Sequence, residues 1–233
     1  MDRGQIYNRH LQSLASASLR LVAVAAALWV LSWGIGKTWV VLLPVVLGAV
    51  LAFPIAYAAT RYRWLYTPLI TISGLLYSIP SLALFLLLPG ILGTKVLSPI
   101  NIIVALAIYT VALLVRTIAD AILSVEPNVL QAATAMGYTR SGRLREVELP
   151  IALPVMLTGL RVASVSNISL VSVGAIMGVG GLGALFIRGL QLRYLPPIII
   201  GIVLSIALAA LVDLLIVAIQ RRLTPWTRIE ASR

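Results

Sequence analysis

Leu195 to Ile219 reads LPPIIIGIVLSIALAALVDLLIVAI, twenty-five residues with a single charge, Asp213. A run of this length and polarity is too long for an ordinary buried helix and matches the thickness of a bilayer's hydrocarbon core at the α-helical rise. Five further stretches behave the same way: Leu21 to Gly36, Thr38 to Thr60, Leu65 to Leu88, Ile100 to about Leu123, and Ile151 to about Ile176. The sequence therefore predicts an all-α, polytopic membrane protein with about six spans and short connections. Residues 1–233 read as a single transmembrane domain, since no soluble domain fits between the runs. Leu21 to Gly36 is expected to span and not to be cleaved, because its apolar part exceeds a signal peptide's and no convincing A-x-A site follows.

Composition agrees. The 233 residues are 61% hydrophobic and 11% charged, with a mean hydropathy of +1.05, whereas soluble globular chains carry about 25% charged residues. Zero cysteines and one histidine, His10, leave neither disulfides nor a donor set for a metal centre, so no metal and no cofactor are expected.

The 18 Lys and Arg against 7 Asp and Glu superficially suit a nucleic-acid binder, but their placement argues for topology instead. With the amino terminus in the cytoplasm, Arg3, Arg9, Arg20, Arg61, Arg63, Arg140, Arg143, Arg145, Arg221, Arg222, Arg228 and Arg233 fall inside. Only Lys37, Lys95, Arg188 and Arg193 fall outside. This is the positive-inside pattern; it predicts both termini cytoplasmic, the lipid bilayer as partner, and no nucleic-acid binding. Tryptophans 29, 33, 39, 64 and 226 gather near span ends, as interfacial aromatic residues do.

Several motifs match in letters and fail in context. Gly178-Val179-Gly180-Gly181-Leu182-Gly183 satisfies G-x-G-x-x-G without the strand and βαβ unit that a dinucleotide site needs. Gly36-Lys37-Thr38 lacks the first glycine of a P-loop, since position 31 is Leu31. Asn167-Ile168-Ser169 spells a glycosylation sequon inside an apolar span, and so reads as intramembrane polar residues. With no G-x-S-x-G, no H-E-x-x-H and only scattered carboxylates, the chain is expected not to be an enzyme.

The longest polar connection, Glu126 to Pro150, reads EPNVLQAATAMGYTRSGRLREVELP and falls on the inner side. Pro127 near a helix start, the helix-forming run from Leu130 to Met136, and Gly137 at its end predict a short helix closed by a left-handed glycine. A second short helix is expected from Ser141 to about Val147, stopping before Pro150. Leu130, Ala133 and Met136 beside Arg140, Arg143 and Arg145 suit docking into a groove on a cytosolic partner. The same pattern suits an interfacial helix whose arginines hold anionic lipid.

This loop resembles the signature of permease subunits of ATP-binding-cassette importers. Their E-A-A, three residues, Gly, nine residues, Ile/Val, any residue, Leu-Pro is written here as Gln131-Ala132-Ala133, Gly137, Val147 and Leu149-Pro150, with glutamine in place of the leading glutamate. Tyr77-Ser78-Ile79-Pro80-Ser81-Leu82-Ala83-Leu84, Ile108-Tyr109 with Arg116, Leu160-Arg161-Val162-Ala163 with Asn167-Ile168-Ser169, and Gly180-Gly181-Leu182-Gly183 resemble the osmoprotectant branch, which carries glycine betaine, carnitine, choline or proline. The resemblance covers roughly residues 40–222. It implies a type I importer fold, a bacterial inner (plasma) membrane location and half of a translocation pathway. The implied partners are a cytosolic ATPase dimer hydrolysing ATP on separate chains, a second permease (an identical copy or a paralogue) and an extracytoplasmic substrate-binding protein. It assigns ATPase coupling to Gln131, Ala132, Ala133, Met136, Gly137 and Arg140. Rival readings are a permease for methionine or another amino acid, a secondary transporter with a proton on Asp120 or Asp213, and a channel or structural subunit.

Polar residues inside the spans are the remaining candidates, since a charge at the bilayer centre costs at least about 2.5–3.5 kcal/mol on insertion scales. Arg116 and Asp120, at i, i+4, can pair along one helix face; a packing salt bridge is the first reading and a place in the inner gate the second. Asp213 lies on the last run with Arg221 and Arg222 two turns or more away, and is expected to be a structural helix partner. Asn167 and Ser169 are the leading candidates for the pathway or gate, ahead of Tyr77 and Tyr109, whose rings can attract a quaternary ammonium. Gly180 and Gly181 belong to an outer glycine cluster expected to form a tight turn, a close helix approach or an outer gate.

Overall fold

The computed structural model describes residues 39–226, except 179. The expected first span, Leu21 to Gly36, lies outside the described residues, as do Trp29, Trp33, Lys37 and Arg228. Nine α-helices follow in the described chain: α1 (Trp39–Arg61), α2 (Arg63–Ser78), α3 (Ser81–Leu92), α4 (Pro99–Leu123), α5 (Pro127–Ala135), α6 (Arg140–Arg143), α7 (Leu149–Gly174), α8 (Gly183–Gln191) and α9 (Leu195–Leu223).

Among the described residues four helices are long and apolar enough to cross a membrane, and α2 with α3 makes a fifth crossing if taken as one broken span. These five correspond to the five expected stretches after the first. One expectation is corrected: Leu65 to Leu88 is not a continuous helix. Pro80 lacks an N–H and pushes Ile79 out of helical space (φ −64°, ψ 130°), so α2 ends at Ser78 and α3 departs at 101°.

Helix α4 is the hub. It packs against α2, α3 and α7, and its Leu114, Val115, Ile118 and Ala119 join Ala52 and Ala56 of α1 and Ala152 and Ala163 of α7 in one buried cluster. Lipid-immersed helices associate through close van der Waals fit, and small residues permit it. A Cβ on Gly48 would lie 2.4 Å from Thr110, and one on Gly159 would lie 2.4 Å from Thr117; hydrogen at those two positions lets α1 and α7 approach α4. Away from this centre, α9 leaves Ile199, Ile206 and Leu214 exposed and α1 leaves Val46, Val50 and Leu51 exposed. Such apolar outer faces suit acyl chains.

The inner connection departs from expectation at its second half. The second short helix does not stop before Pro150. A single turn of α6 passes through a π-helical turn, Leu144–Glu148, directly into α7, giving one 35-residue helical stretch from Arg140 to Gly174. The wider π turn lies just before Pro150, whose missing N–H interrupts the helical ladder at this point.

Candidate functional site

The inner loop is built around α5. Pro127 occupies its first turn, and the chain leaves it through Gly137 at φ +87°. The Tyr138 N–H donates to the Ala133 carbonyl at 3.2 Å and the Gly137 N–H to Thr134 at 3.0 Å, the paired bonds of a glycine C-cap. Leu130 packs against the bundle core, and Ala133 is only 1% exposed. The docking face is therefore not the Leu130–Ala133–Met136 stripe read from the sequence: two of those three hold α5 to the bundle. Gln131, Ala132, Gly137 and Arg140 are exposed, and Met136 is 71% exposed.

Arg143 ties this helix to the next. Its Nε donates to Glu148 at 2.8 Å and its Nη1 to the Thr134 hydroxyl at 3.1 Å. Because α6 runs on into α7, α5 is joined to a membrane-spanning helix by a charge-assisted hydrogen bond and a continuous helical backbone. The sequence carried Arg143 as a basic residue only; its clamp depends on Thr134 and Glu148, nine and five residues away, and no motif marks that trio.

The second assembly lies where α2 breaks. Tyr109 of α4 donates its hydroxyl proton to the Ile79 carbonyl, one of the groups freed by the break, and its ring meets that of Tyr77 edge-on at 5.9 Å. Inside a bilayer such freed backbone groups need partners from the protein. Tyr109 is buried while Tyr77 is exposed, so only one of the two rings presents a surface. Further inward on the same α2–α4 face, Asp120 accepts from the Tyr66 hydroxyl at 2.9 Å and lies 3.7 Å from the Arg116 guanidinium.

Asn167 and Ser169 part company. Asn167 is 1% exposed and donates to the Thr110 hydroxyl at 2.8 Å, joining α7 to α4. Ser169 faces the opposite way, into an open groove of about 590 Å³ with Ser172, Phe186, Ile202 and Ser205. Asp213 meets Arg161 in a two-pronged pair at 2.7 and 2.8 Å, linking α9 to α7. The sequence sets Arg221 and Arg222 two turns or more from Asp213 on its own helix; only the packing of α9 on α7 brings Arg161, fifty-two residues earlier, to it. The expected outer glycine cluster is a sharp turn: Gly178, Gly180 and Gly181 all have positive φ, and a Cβ on Gly183 would lie 2.5 Å from Ala175. Asn101, missed from the sequence, organises the other outer turn: its amide donates to the Lys95 carbonyl at 2.9 Å and accepts from the Thr94 hydroxyl.

The described residues form a polytopic helical bundle with a bent helix pair, and a short helix seated on the bundle is linked to a spanning helix, the architecture of an integral membrane component. Residues 44–225 match the family described as the binding-protein-dependent transport system inner membrane component, and the chain belongs to that family. It is a multi-pass permease subunit of an ATP-binding-cassette importer and not the component that hydrolyses ATP. It is 35% identical over 190 residues to the osmoprotectant import permease protein OsmW of Salmonella typhimurium, covering 80% of this chain and 88% of that one. It is 32% identical over 182 residues to the glycine betaine/carnitine/choline transport system permease protein OpuCD of Bacillus subtilis, covering 78% of each. Among solved structures, the inward-facing MetNI methionine ABC transporter superposes with a TM-score of 0.72 at 24% identity over 85% of this chain and 98% of that one. An amino acid ABC transporter determined with histidines gives 0.69 at 22% identity, over 87% and 97%. These two share the type I importer permease fold.

Proposed function

We propose that this chain carries osmoprotectants with a quaternary ammonium group, glycine betaine, choline and carnitine among them, across a bacterial plasma membrane as half of an ATP-driven pathway. The observation that supports the substrate class is the similarity to osmoprotectant permeases over about four-fifths of the chain; the likeness to the methionine transporter rests on fold alone. In this reading Gln131, Ala132, Met136, Gly137 and Arg140 meet a cytosolic ATPase dimer, and Ala133 contributes by seating the helix. A second permease, identical or paralogous, completes the pathway, and an extracytoplasmic protein delivers the cargo. Both termini lie in the cytoplasm, as the distribution of arginine supports. Tyr77 and Tyr109 stand at the break in the third span, Ser169 lines a groove beside α8 and α9, and Gly180 and Gly181 shape the outer turn of the gate; Asn167 holds α7 against α4 behind it.

The test is radiolabelled glycine betaine uptake into ATP-loaded proteoliposomes holding this chain with its partner subunits, with choline, carnitine, proline and methionine as competitors. Uptake is expected to need ATP, to persist when an ionophore dissipates the proton gradient, and to yield to choline and carnitine more than to methionine. Uptake that collapses with the gradient and ignores ATP would refute the reading.

A further inference from the structure

Helix α4 is buried or half-buried along almost its whole length. Apart from Ile100 at its outer tip, its exposed residues are Arg116, Asp120 and Leu123. The spacing of these three, with half-buried Leu113 ahead of them, is that of one helical stripe. Two of them are charged: the side chains of Arg116 and Asp120 are 71% and 50% exposed. At the α-helical rise, Arg116 stands about 10 Å from the inner end of α4, within the hydrocarbon depth. The exposed faces of α1 and α9, by contrast, carry apolar residues such as Val46, Val50, Leu51, Ile206 and Leu214. An exposed ion pair at this level does not face lipid tails; intramembrane charges face a protein interior or water.

The pair is also loose. A separation of 3.7 Å is longer than a hydrogen bond, so the guanidinium keeps its donors for another acceptor, and its planar fork matches a carboxylate. Asp120, by contrast, is held by the Tyr66 hydroxyl. Outward along the same α2–α4 face stands the exposed ring of Tyr77 against Tyr109. An aromatic face followed by a cation and an anion offers, in order, what a quaternary ammonium carboxylate can use.

Resting on the permease reading above, we propose that Arg116 and Asp120 form a charged station on a water-filled route through the inner half of the membrane, where Arg116 receives the carboxylate of a zwitterionic cargo. The chain's lack of cysteine makes the route directly measurable. In the assembled transporter, Leu113→Cys and Asp120→Cys are expected to react with a charged, membrane-impermeant thiol reagent at least ~10-fold faster than Leu214→Cys on the outward face of α9, read by mass of this chain. Equally slow reaction at all three, as lipid or a second permease packed on the stripe would give, overturns the water-filled route. The carboxylate contact is read separately. Arg116→Gln is expected to raise KM for glycine betaine about 10-fold and to leave KM for choline, which has no carboxylate, within about 2-fold. A parallel change for both, or a wild type that carries choline and not glycine betaine, overturns it. A wild type that moves neither overturns the osmoprotectant reading and the carboxylate contact together, while the labelling pattern still decides the route.

Discussion

Gly137 combines two requirements that no other residue in the inner loop carries. Its φ of +87° is one that most side chains adopt only at a cost of about 1–2 kcal/mol, yet a Cβ there would meet nothing within 4 Å. Aspartate and asparagine tolerate left-handed backbone better than other non-glycine residues, which separates shape from charge. Gly137→Asp is expected to insert and assemble normally while uncoupling uptake from ATP hydrolysis, since it places an anion on the exposed rim of α5. Gly137→Asn should keep most coupling. Uptake and ATPase rates measured side by side decide this, and normal uptake by the aspartate variant would remove Gly137 from the coupling surface. Asn167 illustrates the opposite limit of residue-level reading. Its polarity inside an apolar span marks it as important, but polarity alone does not say whether the amide faces a route or a neighbour. The Thr110 hydroxyl, fifty-seven residues away, satisfies it at 2.8 Å.

At the scale of elements, the contact of α4 with α7 is the most extensive in the described bundle, and it depends on an absent side chain. Gly159→Leu is expected to force α7 away from Thr117 and to lower the yield of folded, detergent-solubilised complex several-fold, because core overpacking in a close-packed interior has no cheap relaxation. Gly74→Leu, where a Cβ meets nothing within 4 Å, should leave the yield near wild type. Similar losses for both would show that glycine serves insertion and not packing. Helix α5 is an element of another kind. Residues Leu130 and Ala133 bind it to the bundle, Arg143 fastens it to the root of α7, and its remaining face stays open. Apolar contacts and a charge-assisted bond thus hold the helix on one side, and Gln131, Ala132 and Met136 stay exposed on the other.

Across the whole subunit, the last helix would be a simple lipid-facing span but for Asp213. Its two-pronged bond to Arg161 is the ionic tie between α9 and α7 among the described residues. Removing one partner leaves the other charged inside the membrane, which is costlier than removing both. Arg161→Leu and Asp213→Leu are each expected to reduce assembled transporter by 10-fold or so, the double leucine variant to recover much of it, and the exchange Arg161→Asp with Asp213→Arg to recover part. Immunoblots of membrane fractions and size-exclusion profiles measure this. Failure of both double variants to improve on the singles would mean that each residue has a separate role.

What the sequence determined by itself was everything that depends on local periodicity and on solvent class. Run length and charge spacing predicted the membrane, the four long apolar helices and the inner loop, because hydrocarbon thickness and the helical rise leave few alternatives. Gly137 was legible as a left-handed cap because glycine is the residue that such a backbone selects. Tertiary structure alone decided the rest. It broke the third span at Pro80, since apolar composition continues unchanged across a bend. It fused α6 to α7 through Pro150, since a π turn leaves no mark in composition. It turned Ala133 inward and Ser169 outward from α4, and matched Asp213 with Arg161, Tyr66 with Asp120, and Arg143 with Thr134 and Glu148. Those outcomes depend on which helix faces meet, and in a chain that is apolar on nearly every face, hydrophobic patterning no longer tells inside from outside.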